Sequence, residues 1–154
     1  MAEKCAAKKG EESKDCLFCK FARKEIETAV VYEDKKVFAF LDIDPAGPLI
    51  GHTLVIPKRH SHCIDECPDE DLKAMIVAVK KIMPALKKVS GAEGVNLVQN
   101  NGKAAGQFVM HAHFHVIPRK QGDGIWFNEN RRKAVPMELT ETAKAIREEM
   151  AKKK

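Results

Sequence analysis

His111-Ala112-His113-Phe114-His115-Val116-Ile117-Pro118 decides how the rest of this chain is read. Three histidines stand at i, i+2 and i+4, with apolar residues between and after them. A period of two is that of a β-strand, whose successive side chains point to opposite faces. The pattern therefore predicts a strand with all three imidazoles on one face and Ala112, Phe114 and Val116 against a core. Pro118, which has no N–H for the ladder, is expected to end it. Half of the chain's six histidines lie in these five positions. Three uses are open: a zinc site of three histidines, a catalytic group, or a buried strand with satisfied imidazoles. On a regular strand the outer two Cα atoms are roughly 13 Å apart. That is too far to share one tetrahedral ion with bonds of about 2 Å unless the strand bends. Imidazole titrates near ~6.5, so one histidine can serve as nucleophile while another donates a proton.

Upstream lies Asn100-Asn101-Gly102-Lys103-Ala104-Ala105-Gly106-Gln107, a glycine-bearing loop after the apolar run Val95-Asn96-Leu97-Val98. Glycines allow backbone N–H groups to approach an anion, and Gln107 can pin an imidazole or a phosphate oxygen. Such dipeptides also make ordinary turns.

Taken together, Asn100 to Arg119 resembles the histidine triad (HIT) family of nucleotide hydrolases and transferases. The resemblance rests on Asn100, Gly106-Gln107 and His111-x-His113-x-His115. It extends back through Gly51-His52-Thr53-Leu54-Val55-Ile56-Pro57-Lys58-Arg59-His60 and Phe38-Ala39-Phe40-Leu41-Asp42-Ile43-Asp44-Pro45 to Cys16. It implies a homodimer and hydrolysis of an α-phosphate linkage, in a dinucleoside polyphosphate or a nucleoside phosphoramidate. His113 would attack the phosphorus and form a nucleotidyl-histidine; His115, His111, Gln107 and His52 would complete the catalytic set. The nucleotide would be held by Asp42 on the ribose, by an apolar wall of Phe18, Phe21, Phe40, Leu41 and Ile43, and by Asn100, Gly106, Gln107, His113 and His115. Asp42 has an ordinary alternative as a turn-maker, and Phe and Leu are more often core than pocket. One position departs from the pattern. After Gly-Gln the family usually has Ser or Thr, which can donate to the leaving group; Phe108 cannot. The alternatives are a nucleotidyl transferase with its own acceptor, or a module that binds nucleotide or zinc with little turnover.

The five cysteines are Cys5, Cys16, Cys19, Cys63 and Cys67. An odd number without a secretory signal argues against a disulfide framework. Cys16-Leu17-Phe18-Cys19 reads as half of a metal site, as a redox pair, or as incidental thiols. The resemblance points to zinc held by Cys16, Cys19, His60 and His111, which would leave His113 and His115 for chemistry. No organic cofactor is expected.

A length of 154 residues and 44% hydrophobic content fit one domain with a core. The expected division is a flexible basic tail over 1–14 and a single domain over 15–154. No stretch is apolar enough to cross a membrane and none reads as a signal peptide, so a cytoplasmic protein is expected. The net charge of +5 suits a phosphate-bearing ligand, while no aromatic-basic stripe suggests nucleic acid. Helices are expected over Leu17 to Lys24, from Pro68 onward with a kink or break near Pro84, and over Thr140 to Lys152. Strands are expected at Ala29 to Glu33, Val37 to Leu41 and Thr53 to Pro57, and Ile125-Trp126-Phe127 reads as a short strand or a dimer contact. Elements in this order, without βαβ alternation, predict an α+β protein. Its HIT-like form has a mainly antiparallel sheet of about five strands, one long helix and one or two shorter ones.

Overall fold

In the computed structural model, residues 14–125 and 134–152 are described. Apart from Lys14, the expected basic tail lies outside them, as do Trp126 and Phe127. The elements are α1 (Leu17–Ala22), β1 (Val30–Glu33), β2 (Val37–Leu41), β3 (Thr53–Pro57), α2 (Asp69–Ser90), β4 (Gly94–Gln99), β5 (Phe114–Arg119) and α3 (Pro136–Ala151). The five strands form one sheet in the order β1-β2-β3-β5-β4, antiparallel at every pairing. The architecture is α+β, as the sequence predicts.

Period-two alternation sorts the core into two layers. From β2, Val37, Ala39 and Leu41 face one side of the sheet, joined by Val55, Phe114 and Val116. Against them pack Met75, Val79, Ile82 and Leu86 of α2 and Leu139, Ala143 and Ile146 of α3. Phe38 and Phe40, with Leu54 and Ile56, face the other side and pack with Phe18 of α1. A sheet covered on both faces explains why β2 and β3 are buried at every position. His115 lies on β5 between Phe114 and Val116, so it projects on the α1 side.

The triad is where the strand expectation fails. β5 begins at Phe114, so His111 and His113 precede it in a bend. There Ala112 N–H donates to Ser61 O (2.7 Å) and His111 N–H to Val109 O (2.8 Å). The three imidazoles are therefore not one strand face. Nor does Pro118 end the strand; it pairs with Val95 of β4. Pairing with β3 stops at Val116, opposite Thr53. Beyond that point β5 is flanked on one side only, a position that tolerates proline.

α2 runs unbroken through Pro84. A proline removes one helical hydrogen bond, here to the carbonyl of exposed Lys80, while Met75, Val79, Ile82 and Leu86 hold the helix to the sheet on both sides of it. α3 starts at Pro136, four residues before the expected Thr140, with proline in the first turn where its missing N–H costs nothing. Ile125 is in no strand. Cys16, Cys19 and Cys67 are free thiols. Cys63 is disulfide-bonded. Among the described residues no helix is long and apolar enough to cross a membrane.

Candidate functional site

The bend before β5 gives the three triad imidazoles three different environments. Their hydrogen bonds fix which nitrogen carries the proton. His111 Nε2 donates to the carbonyl of Pro57 (2.9 Å), so its lone pair is on Nδ1. His113 does the reverse. Its Nδ1 donates to the carbonyl of His111 (2.6 Å), which puts the lone pair on Nε2. For His115 the assignment passes through His52. Ala46 N–H donates to His52 Nδ1 (3.0 Å), so His52 carries its proton on Nε2. That proton is donated to His115 Nδ1 (3.0 Å), leaving His115 with its proton on Nε2. Chemically identical side chains thus present a lone pair on Nδ1 at His111, a lone pair on Nε2 at His113 and a donor on Nε2 at His115.

Asp42 Oδ2 lies 3.4 Å from His52 Nδ1. Because that nitrogen already accepts from Ala46, the carboxylate acts by charge rather than by a hydrogen bond. It places negative charge beside the His52–His115 pair. The rings of His113 and His115 are 4.7 Å apart, closer than strand spacing gives.

His111 points away from His115, into a cluster with Cys16, Cys19 and His60. The bend removes the distance objection, because His111 need not share an ion with the other two triad members. A tetrahedron with Zn–N of about 2.0–2.1 Å and Zn–S of about 2.3 Å has N···N edges of roughly 3.3 Å and S···N edges of roughly 3.6 Å. Here His60 Nδ1 and His111 Nδ1 are 3.3 Å apart. Cys19 Sγ is 3.3 Å from His60 Nδ1 and 3.5 Å from His111 Nδ1, and Cys16 Sγ is 3.5 Å from His111 Nδ1. The hydrogen bond with Cys19, helped by one with His111, pulls the Cys16 thiol down to about 3, against the opposing effect of burial. Burial, then His111, pushes His60 down. Thiolate and neutral imidazole are the forms a metal binds. The Pro57 carbonyl, by taking the Nε2 proton of His111, would orient its Nδ1 toward a metal held in the cluster. The four residues fit a structural zinc.

α1 begins between the two cysteines and carries Phe18 toward the sheet. The Phe18 ring meets His113 edge-on at 5.2 Å, Phe40 at 5.4 Å and His111 at 5.9 Å. Phe21 meets Phe40 at 5.0 Å. Phe18, Phe21 and Phe40, with Leu41, Asp42, Ile43, Gly106, His113 and His115, line a cavity of about 170 Å³. Leu17, Thr28, Leu54, Phe108 and Val109 also line it, and sequence reading did not place them there. Their contribution follows from chain crossings rather than from a motif.

Gln107 does not line that cavity. It is 2% exposed and ties the loop together. Its Oε1 accepts from Gly102 N–H (2.7 Å), and its Nε2 donates to the carbonyls of His62 (2.7 Å) and Val109 (3.0 Å). Asn100 lies in a different cavity of about 590 Å³ beside β4 and β5, which it shares with His115. His115 therefore stands between the two cavities, while Asn100 and His113 do not meet in either. Lys58 and Arg59 are engaged with Glu33 (2.8 Å) and Asp71 (3.3 Å).

Fold and site define a class: α+β proteins in which clustered histidines meet a small aromatic-walled cavity at the end of an antiparallel sheet. The profile of the HIT domain matches residues 23–122. The chain is 54% identical over 109 residues to an uncharacterized HIT-like protein of Methanocaldococcus jannaschii, covering 71% of this chain and 82% of that one. It is 40% identical over 109 residues to an adenosine 5'-monophosphoramidase of Candida albicans, covering 68% and 70%. Among solved structures, a zinc-bound histidine triad family protein from Mycobacterium smegmatis superposes with a TM-score of 0.78 at 34% identity, covering 90% of this chain and 94% of that one. The chain belongs to the HIT family.

Proposed function

We propose that this protein hydrolyses nucleotides substituted on the α-phosphate, through a nucleotidyl-histidine formed on His113. The observation that carries this reading is the pair of opposed tautomers at His113 and His115. A base and ribose enter the aromatic-walled cavity, with Asp42 accepting from the ribose hydroxyls. His113, its lone pair fixed on Nε2 by the His111 carbonyl, attacks the α-phosphorus. The N–P bond forms as the bond to the leaving group breaks. His115, donating from Nε2, stabilises the charge that develops on the phosphoryl oxygens. Water then cleaves the N–P bond, losing a proton to solvent or the departed group, and frees the nucleoside monophosphate. Splitting one displacement into two in this way is covalent catalysis.

Zinc, when bound by Cys16, Cys19, His60 and His111, supplies a structural tie and no reacting group. A homodimer is part of the same reading. It is supported by β4, which ends the sheet and leaves Leu97 exposed.

The test is intact mass after mixing with an adenylated substrate and quenching at alkaline pH. The expected result is a gain of one nucleoside monophosphate, absent in His113→Ala, which still binds AMP. Turnover retained in His113→Ala refutes the assignment.

A further inference from the structure

Phe108 is a large apolar residue that the fold leaves in the open. It is 82% exposed, although an aromatic side chain is among the most favourable to bury. It stands on backbone anchored at both sides. Gln107 before it is held by the hydrogen bonds described above, and Val109 after it accepts from both Gln107 Nε2 (3.0 Å) and His111 N–H (2.8 Å). Its exposure therefore belongs to a fixed position. That position lines the same cavity as His113, and two other exposed apolar residues line it too: Ile43 at 64% and Leu17 at 43%. The cavity's interior, about 170 Å³, has room for little beyond base and sugar. A group attached to the far side of the α-phosphate extends beyond that interior, and Phe108, Ile43 and Leu17 are the exposed apolar side chains lining this cavity.

Resting on the function proposed above, the geometry points to Phe108 as the residue that selects the leaving group: a planar aromatic group that departs as an anion. Its ring offers a face for stacking. It offers no proton, so P–O cleavage leaves the electron pair on the departing oxygen without help from this position. An amine, which is a poor leaving group unless protonated, gains nothing here. Two sources share the favoured chemistry, the second base of a dinucleoside polyphosphate and an aromatic acyl group on an adenylate.

The test compares the phenyl and hexafluoroisopropyl esters of AMP, whose alcohols are similar in acidity but differ in having a flat ring. The native enzyme is expected to favour the phenyl ester in kcat/KM. An aromatic pair contributes enough that Phe108→Ala should reduce that preference roughly 5- to 10-fold, with Phe108→Trp restoring it. Affinity for both esters is read by competition against AMP in His113→Ala and in the His113→Ala/Phe108→Ala double variant, so the contact is measured without turnover. The same variants with diadenosine tetraphosphate and benzoyl adenylate identify the source, as the one whose preference falls with Phe108. A phenyl preference unchanged by Phe108→Ala, in both rate and binding, overturns the inference. So does a change in sedimentation with no change in that preference, which would make Phe108 a contact between copies. No turnover of any substrate by native protein that binds AMP sinks the hydrolase reading instead, and the competition arm still decides the contact.

Discussion

If zinc is held by the Cys16–Cys19–His60–His111 cluster as proposed, its removal should cost nucleotide affinity as well as stability. α1 spans only six residues, too few to hold a helical shape alone. Its backbone hydrogen bonds are local, such as Lys20 N–H to Cys16 O and Arg23 N–H to Cys19 O. The ties that fix it to the sheet are the cysteines, the Phe18 and Phe21 rings, and a Lys24–Glu33 ion pair of 3.0 Å. That pair joins a largely exposed lysine to a partly exposed glutamate and contributes little. Without metal, the thiols and imidazoles packed 3.3–3.5 Å apart lose the ion that fits them, and α1 can lift away. Phe18 and Phe21 leave with it, which removes one aromatic wall of the cavity. A base stacked on an aromatic side chain gains about 1–3 kcal/mol. Taking the middle of that range, about 2 kcal/mol, AMP affinity should fall about 30-fold. The assay is calorimetric titration of AMP into native, chelated and zinc-restored protein, with bound metal measured alongside and circular dichroism confirming that the sheet persists. Cys19→Ser should behave as the chelated protein does. Metal-free, folded protein that binds AMP with native affinity would refute the coupling.

Two further predictions concern stability. Gly51 has φ of +112°, and a Cβ there would lie 2.7 Å from Leu86 Cδ1. Gly51→Ala should therefore destabilise by about 2–3 kcal/mol, from backbone strain added to overpacking, read as a lower midpoint in urea. An unchanged midpoint would contradict the packing described. Arg119 grips Asp123 with two bonds, of 2.8 and 2.7 Å, and Asp123 also accepts from Lys120 N–H and Ile125 N–H. These hold its carboxyl well below the usual carboxylate range, the Arg119 hydrogen bond first. A depressed carboxyl contributes stability that is complete above its unfolded value of about 3.9 and is lost as pH falls toward the folded one. Asp123→Asn should thus cost about 2 kcal/mol at neutral pH, with the gap to native closing below about pH 3.9. A gap that stays constant into acid would show that the ion pair is not its source.

How much of this was legible beforehand differs element by element. Val37 to Leu41 and Thr53 to Pro57 match β2 and β3 residue for residue, because runs of β-branched and aromatic residues fit a sheet buried on both faces. α3 was visible only as a charged helix. Its core-facing Leu139, Ala143 and Ile146 are spaced at helical intervals, but exposed Glu and Lys dominate the local composition. The unbroken α2 shows packing overriding a proline.

The sequence by itself determined the strands and the long helix, whose periodicities are local, and it set the histidines, cysteines and Asp42 at recognisable spacings. Only the tertiary structure decided what each triad histidine presents. Two of the three proton positions follow from partners far along the chain, the Pro57 carbonyl, 54 residues from His111, and His52, 63 residues from His115, while His113 is set by the His111 carbonyl two residues before it, which the bend brings to its ring. The turn out of strand geometry before Phe114 is likewise set by a distant group, the Ser61 carbonyl that takes the Ala112 N–H. Spacing along a chain states which side chains can share a face. Which nitrogen of an imidazole carries the proton depends on what is hydrogen-bonded to the other one, and that partner is supplied by the fold.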